Sequence, residues 1–304
     1  MSDSKLRGVF VPMITVFKED GSIDEEGIRR QVNFLIENGV HGIIPCGSTG
    51  EFIALNLDER KRVAKIVVEE AAGRVPIYVG TAHYRTDKTI ELSKHAESIG
   101  ADGVMIVSPY YLKPRKRDVM EHIRMVSNSI KIPIMFYNNP YYSGIDLDPN
   151  FIVEAFRRGY IIAVKERGIE LTRHQDLKAM TQGRLKVFYG FDPNAIEALV
   201  MSCDGWVAGT ANLIPRHCVK VYELVKDGQI EEAKKFWYNE VKQFIDLCTH
   251  PFEGDEPPWL AIIKEGLNMI GERGGALIMP VTSLPTSLKE TLRKVLKELG
   301  YISK

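Results

Sequence analysis

Short, continuous apolar runs alternate along this chain with longer segments of helical period. The runs are Gly8 to Pro12, Gly42 to Pro45, Pro76 to Gly80, Gly103 to Val107, Ile132 to Tyr137, Ile161 to Lys165, Leu185 to Gly190 and Gly205 to Gly209. Unbroken apolar runs of this length suit strands buried on both faces, as in a parallel sheet covered by helices. Between them Ile28, Val32, Leu35 and Ile36 share one helix face, as do Val63, Ile66, Val67 and Ala71, and again Val119, Ile123, Val126 and Ile130. Asp24, Asp58 and Asp148 are expected as N-caps, and Gly39, Gly73 and Gly100 as helix stops.

Strand followed by helix recurs eight times before about residue 226, which predicts a (β/α)8 TIM barrel over residues 1–228. No strand pattern returns after Gly228. Residues 229–304 instead predict three helices, near Ile230 to Leu247, Pro258 to Ile270 and Ser287 to Leu299, the last with Leu288, Leu292, Val295 and Leu296 on one face. Pro251, Pro257, Pro258, Pro280 and Pro285 punctuate the connections, and with no long linker this C-terminal helical extension is expected to pack on the barrel. An open doubly wound sheet is the rival. It calls for a phosphate loop after the first strand, and Pro12-Met13-Ile14-Thr15 carries none.

Composition narrows the function classes. The 304 residues are 44% hydrophobic and carry 40 basic and 40 acidic side chains, enough for a large core and without a net field to gather nucleic acid or an anionic membrane. The basic run Lys113-Pro114-Arg115-Lys116-Arg117 reads as a solvated helix start. Met1-Ser2-Asp3-Ser4-Lys5 has no apolar leader core and no stretch approaches a membrane span, so a cytoplasmic protein is expected. Cys46, Cys203, Cys218 and Cys248 are far apart and read as reduced, mostly buried thiols. Neither they nor the seven histidines have metal-ligand spacing, so no metal is expected.

The chemistry collects at strand ends. Ile161-Ile162-Ala163-Val164-Lys165 closes a core strand on a lysine, and an ammonium is almost never left fully buried without a partner. One reading is a strand-end ion pair with Glu166 or Glu51. The other is catalytic: a lysine in partly apolar surroundings loses proton affinity, and a neutral amine attacks a ketone to form a Schiff base. Gly47-Ser48-Thr49-Gly50-Glu51 offers permissive glycines, two hydroxyls and backbone N–H groups, suited to a small carboxylate or equally to a tight turn. Tyr137 ends a strand and either relays protons or fills the barrel top, and Tyr110-Tyr111 fits packing, an interface or catalysis. In an open sheet these ends lie in a row; in a closed barrel they face one mouth.

Together, Gly47-Ser48-Thr49-Gly50-Glu51, Pro109-Tyr110-Tyr111, Tyr137-Asn138-Asn139-Pro140, Val164-Lys165-Glu166 and Gly205-Trp206-Val207-Ala208-Gly209-Thr210-Ala211-Asn212 resemble the dihydrodipicolinate synthase and N-acetylneuraminate lyase family of class I, Schiff-base aldolases, in order and spacing over essentially the whole chain. The resemblance implies a (β/α)8 barrel, a homotetramer built as a dimer of dimers, and reaction through a pyruvate-type imine without metal or dissociable cofactor. It implies that Lys165 forms the imine with a 2-oxo acid and that Tyr137 shuttles protons. Ser48 and Thr49, on the loop opened by Gly47, would bind the carboxylate, with Thr49 linking Tyr137 to a Tyr111 that reaches in from the neighbouring subunit. Gly190 and Val207 fall at the matching strand ends.

Departures from the family pattern bear on the substrate. Dihydrodipicolinate synthases place an arginine shortly after Y-N-x-P, where this chain has Tyr142, while Ser143-Gly144 is more like the sugar-acid lyases. The sialic acid lyases follow the seventh strand with Gly-x-Asp-Glu, where Gly190-Phe191-Asp192-Pro193 keeps only the aspartate. Arg167, just past the lysine, offers a fork for a distal carboxylate or hydroxyls, or else a rim ion pair; His83 is a further polar group near the mouth, or a hydrogen-bonded loop residue. The leading expectation is an aldolase or dehydratase for a 2-keto-3-deoxy sugar acid, with Asp192 and Arg167 contacting the polar tail. The alternatives are dihydrodipicolinate synthase and a catalytically silent barrel that binds a 2-oxo acid.

Overall fold

The computed structural model describes residues 6–168 and 170–303; the N-terminal stretch Met1 to Lys5, read above for a leader, lies outside the described residues. The eight apolar runs form eight parallel strands: β1 (Gly8–Pro12), β2 (Gly42–Ile44), β3 (Tyr78–Gly80), β4 (Gly103–Val107), β5 (Ile134–Asn138), β6 (Ala163–Glu166), β7 (Lys186–Tyr189) and β8 (Gly205–Val207). They are hydrogen-bonded in the order β2-β1-β8-β7-β6-β5-β4-β3. The remaining seam, β2 to β3, is closed by the parallel bridge Ile43 to Ile77, with Ile43 N donating to Pro76 O (3.0 Å) and Gly80 N to Pro45 O (2.8 Å). A side chain at position 80 cannot be fitted there, since its Cβ would lie 2.2 Å from the Cys46 carbonyl oxygen.

Closure gives every strand two apolar faces, which is why the runs do not alternate with polar residues. Phe10, Tyr78, Met105, Met135, Ala163 and Phe188 fill the interior, and Val9, Val11, Val104, Ile106, Phe136 and Val164 face the helices.

The outer layer comprises α1 (Glu25–Glu37), α2 (Leu57–Ala71), α3 (Thr86–Ser98), α4 (Lys116–Ser127), α5 (Pro140–Ser143), α6 (Pro149–Arg157), α7 (Thr172–Met180), α8 (Ala195–Val200) and α9 (Pro215–Lys226). Asp24 and Asp148 cap α1 and α6, accepting from Gly27 N and Phe151 N. Asp58 is not a cap. Asn56 takes that place, accepting from Asp58 N and Glu59 N while Glu59 bonds back to Asn56 N, and this reciprocal pair starts α2 before Asp58 is reached. Gly39, Gly73 and Gly100 end their helices at φ +82°, +73° and +84°. The one-turn α5 was not expected; Asn139 nucleates it by accepting from Tyr142 N.

Beyond Gly228 the expected first helix is a single rod, α10 (Ile230–Phe236) and α11 (Lys242–Thr249), joined by a π-helical stretch over Trp237–Val241. Then come α12 (Trp259–Met269) and α13 (Thr286–Glu298), the latter burying Leu288, Leu292, Val295 and Leu296. The rod is seated on the barrel by Trp237, whose ring meets that of Trp206. No helix among the described residues is long and apolar enough to cross a membrane, and all four cysteines are free and buried.

Candidate active site

Alternation along β6 turns Ala163 and Lys165 into the barrel and Val164 and Glu166 toward the helices. Parallel register sets Lys165 beside Tyr137 on β5 and Phe188 on β7. Its Nζ lies 3.9 Å from the centroid of the Tyr137 ring. Room for the stem comes from Gly190, where a Cβ would meet Lys165 Cε at 2.6 Å.

The ion-pair reading of Lys165 is not what the structure contains. Glu166 faces outward and accepts from Asn138 Nδ2 (2.8 Å) beside the Arg173 guanidinium, and Glu51 pairs with Lys264 (2.5 Å). Lys165, 6% exposed, has no ion pair among the described residues. Burial brings its pKa down to about 7; the carboxylate of Asp192 opposes that shift and the charge of Arg167 adds to it. Much of the amine is therefore neutral near neutral pH. Burial likewise pushes the Tyr137 phenol well above its ordinary range, so it stays protonated.

Around the lysine is a cavity of about 390 Å³, lined in part by Ser48, Thr49, Tyr137, Gly190, Asp192, Arg167 and Val207. Ser48 is exposed to it and Thr49 is nearly buried. Their loop is bracketed by two non-glycine residues in the left-handed region, Cys46 (φ +56°) and Glu51 (φ +54°), and tied down by Thr15 Oγ1 donating to Gly50 O (2.7 Å).

The remaining expected residues fall as follows. Gly47 does not line the cavity and packs against Met105. Ser143 is buried and donates to Asn139 O (2.8 Å), so its hydroxyl bonds back within the α5 turn. Asp192 borders the cavity, but its oxygens already accept from Trp206 Nε1 (2.8 Å), Gly209 N (3.3 Å) and Thr210 N (2.9 Å), which fastens the loop after β7 to the end of β8. The Tyr137 hydroxyl accepts from Asn139 Nδ2 (2.9 Å), and no bond joins it to Thr49. Tyr111 is 92% exposed, with φ +74°, and does not line the cavity of its own chain. His83 is the hydrogen-bonded loop residue, its Nδ1 accepting from Arg85 N.

Arg167 forms no ion pair among the described residues. Its guanidinium lies among three rings, 4.7 Å from the centroid of Tyr141, 5.5 Å from that of Tyr142 and 5.3 Å from that of Phe191. The far wall of the cavity was missed by sequence reasoning: Thr249, Glu256, Trp259 and Ile263 all come from the C-terminal helices and their connection. Tyr141 donates from its hydroxyl to Glu256 Oε1 (2.9 Å) across that gap. The sequence signal available was Trp259, directly after a Pro257-Pro258 pair read only as punctuation.

A closed (β/α)8 barrel with a buried, unpaired lysine beside a tyrosine at the C-terminal strand ends defines the class: a barrel enzyme equipped for amine chemistry on carbonyls. The comparisons specify the family. Residues 5–299 match the Dihydrodipicolinate synthetase family, to which the chain belongs, as an enzyme of the Schiff-base lyase class. It is 34% identical over 300 residues, 98% of each chain, to the 4-hydroxy-tetrahydrodipicolinate synthase of Methanothrix thermoacetophila. Dihydrodipicolinate synthase from Aquifex aeolicus superposes with a TM-score of 0.90 at 26% identity, covering 97% of this chain and 98% of that one. YagE, a prophage protein of the dihydrodipicolinic acid synthase family from E. coli in complex with pyruvate, gives 0.88 at 28% identity, over 97% and 99%.

Proposed function

We propose that the protein joins pyruvate to an aldehyde that itself carries a carboxylate, as a 4-hydroxy-tetrahydrodipicolinate synthase does with aspartate semialdehyde. The observation that carries the chemistry is the unpaired Lys165 amine over the Tyr137 ring in a cavity large enough for both reactants. The neutral amine adds to the keto carbon, and the carbinolamine loses its hydroxyl as water, with the proton moved by the Tyr137 hydroxyl. The resulting protonated imine withdraws electrons from the adjacent carbon; loss of a proton there gives an enamine that attacks the aldehyde. Ser48 and Thr49 receive the pyruvate carboxylate, and Arg167, without a carboxylate of its own, receives the distal one.

The relatives' names favour this synthase over the sugar-acid lyase expected from Tyr142 and Ser143-Gly144. A 2-keto-3-deoxy sugar acid remains the second reading, supported by Glu256 in the cavity wall, a carboxylate able to accept from hydroxyls. In both readings residues 229–304 act as an extension packed on the barrel 1–228, and assembly into a dimer of dimers lets the exposed Tyr111 serve the site of a neighbouring chain.

Mixing the protein with pyruvate, reducing with borohydride and weighing the peptides tests the common step: an adduct on the Lys165 peptide supports it, and an unlabelled folded protein refutes it for pyruvate. A coupled assay with aspartate semialdehyde then separates the readings. Turnover there, with none on keto-deoxy sugar acids, supports the synthase; the reverse supports the lyase.

A further inference from the structure

The Gly47–Glu51 loop, to which the proposed function assigns the substrate carboxylate, closes on itself through Glu51 N donating to Ser48 O (3.0 Å), yet its two ends are strained. Cys46 and Glu51 are both in the left-handed backbone region, which is strained for a residue with a side chain and persists only where the surroundings enforce it. From outside the loop, Thr15 supplies one side-chain restraint, on the Gly50 carbonyl. The other comes from the opposite end of the chain.

Lys264, on α12, is 0% exposed, and its Nζ sits 2.5 Å from Glu51 Oε1, 4.6 Å from the centroid of the Phe17 ring and 3.3 Å from the Ala276 carbonyl, to which it donates. Ala276 N in turn donates to Phe17 O (2.9 Å). The residue before Lys264, Ile263, lines the cavity. One turn of α12 thus touches the cavity wall with one side chain and the carboxylate loop with the next.

Stability is a poor explanation for this ion pair. Removing two charges from water is costly, and replacing such a pair with apolar residues of similar volume is often neutral or stabilising. What it does supply is direction: a single carboxylate for the ammonium, on a residue whose backbone is strained, three positions after Ser48 and two after Thr49.

We propose that Lys264 is a positioning residue, which through its buried ion pair with Glu51 fixes the Gly47–Glu51 loop so that Ser48 and Thr49 receive the carboxylate of a 2-oxo acid. The inference rests on the Lys165 imine reading. The test uses the full chain and reads the pyruvate concentration that gives half-maximal borohydride labelling of Lys165, alongside the maximal labelling and Tm. The variants are Lys264→Met, Lys264→Arg and the double replacement Glu51→Gln with Lys264→Met, which leaves no unpaired buried charge if the single methionine variant does not fold.

The expected result is a rise of about 10- to 100-fold in the half-labelling concentration for the methionine variants. Maximal labelling is preserved because Lys165 is untouched, and Lys264→Arg stays within about threefold of the parent. Folded variants that label at the parent's pyruvate concentration, with only Tm lowered, would show a structural role and overturn the proposal. So would lost maximal labelling at unchanged half-saturation, which places the defect at Lys165. If the parent itself forms no adduct with pyruvate, the imine reading falls first; if the parent labels and the variants match it, only the role of Lys264 falls.

Discussion

Lys165 and Tyr137 are direct partners in the parallel register of β6 and β5, and the lysine nitrogen lies 3.9 Å from the centroid of the tyrosine ring. Neighbouring strands therefore hold the amine and the phenol, and neither depends on a loop for its position.

Protonation of Lys165 sets the first expectation. With a folded-state pKa of about 7, the reactive neutral amine gains population as pH rises through 7, so the rate of imine trapping with pyruvate should climb through that region and level off above it. An unfolded lysine titrates near 10.5, so between about 7 and 10.5 the unfolded chain binds the extra proton. This group's contribution to stability therefore improves with rising pH across that window and is a penalty below it. Stopped-time borohydride labelling at several pH values measures the rate; an inflection near 10 would contradict the buried-amine environment.

Tyr137→Phe removes the hydroxyl and keeps the ring. We expect kcat to fall about 10²- to 10⁴-fold, while the chain stays folded and adduct still forms slowly. Steady-state turnover and trapping, measured side by side, check this.

Gly190→Ala places a methyl group 2.6 Å from Lys165 Cε. Displacing the reacting amine should lower the imine-formation rate by about 10²-fold, with a much smaller effect on the denaturant midpoint.

Arg167→Ala should raise KM for the carboxylate-bearing aldehyde about 10- to 100-fold, the worth of a charge-assisted hydrogen bond, and leave the pyruvate KM nearly unchanged. Equal effects on both substrates would remove Arg167 from the distal contact.

Asp192→Ala is expected to act on stability first. It orphans the donors on Trp206, Gly209 and Thr210, and a loss of about 2 kcal/mol or more in urea unfolding should accompany any change in KM. A variant of parent stability would reverse this assignment.

Much of this was legible in the sequence. Strands buried on both faces write themselves as unbroken apolar runs, and Gly39, Gly73 and Gly100 stop their helices as read. Lys165 and Tyr137 were visible because a strand end fixes where its last side chain points. The α5 turn was not visible, because Asn139 builds it by a local side-chain bond inside a motif read only for chemistry. The bonds of Asp192 were hidden for a related reason: a carboxylate at a strand end looks free until its donors, 14 to 18 residues away, are brought to it by the sheet. The cavity's far wall was illegible because Trp259 and Ile263 sit on a helix whose apolar pattern tells burial from exposure but not which partner is met.

The narrow join between β2 and β3 has a thermal consequence. Both strands have only three residues, a single bridge joins them, and the Cys46 carbonyl packs so closely on Gly80 that position 80 has no room for a side chain of its own. Opening of a sheet begins where its pairing is shortest. Here that place is the root of the loop carrying Ser48 and Thr49, so heating should loosen the grip on a carboxylate at temperatures where the other seven strand pairings, and the far-ultraviolet signal of the helices, are still intact.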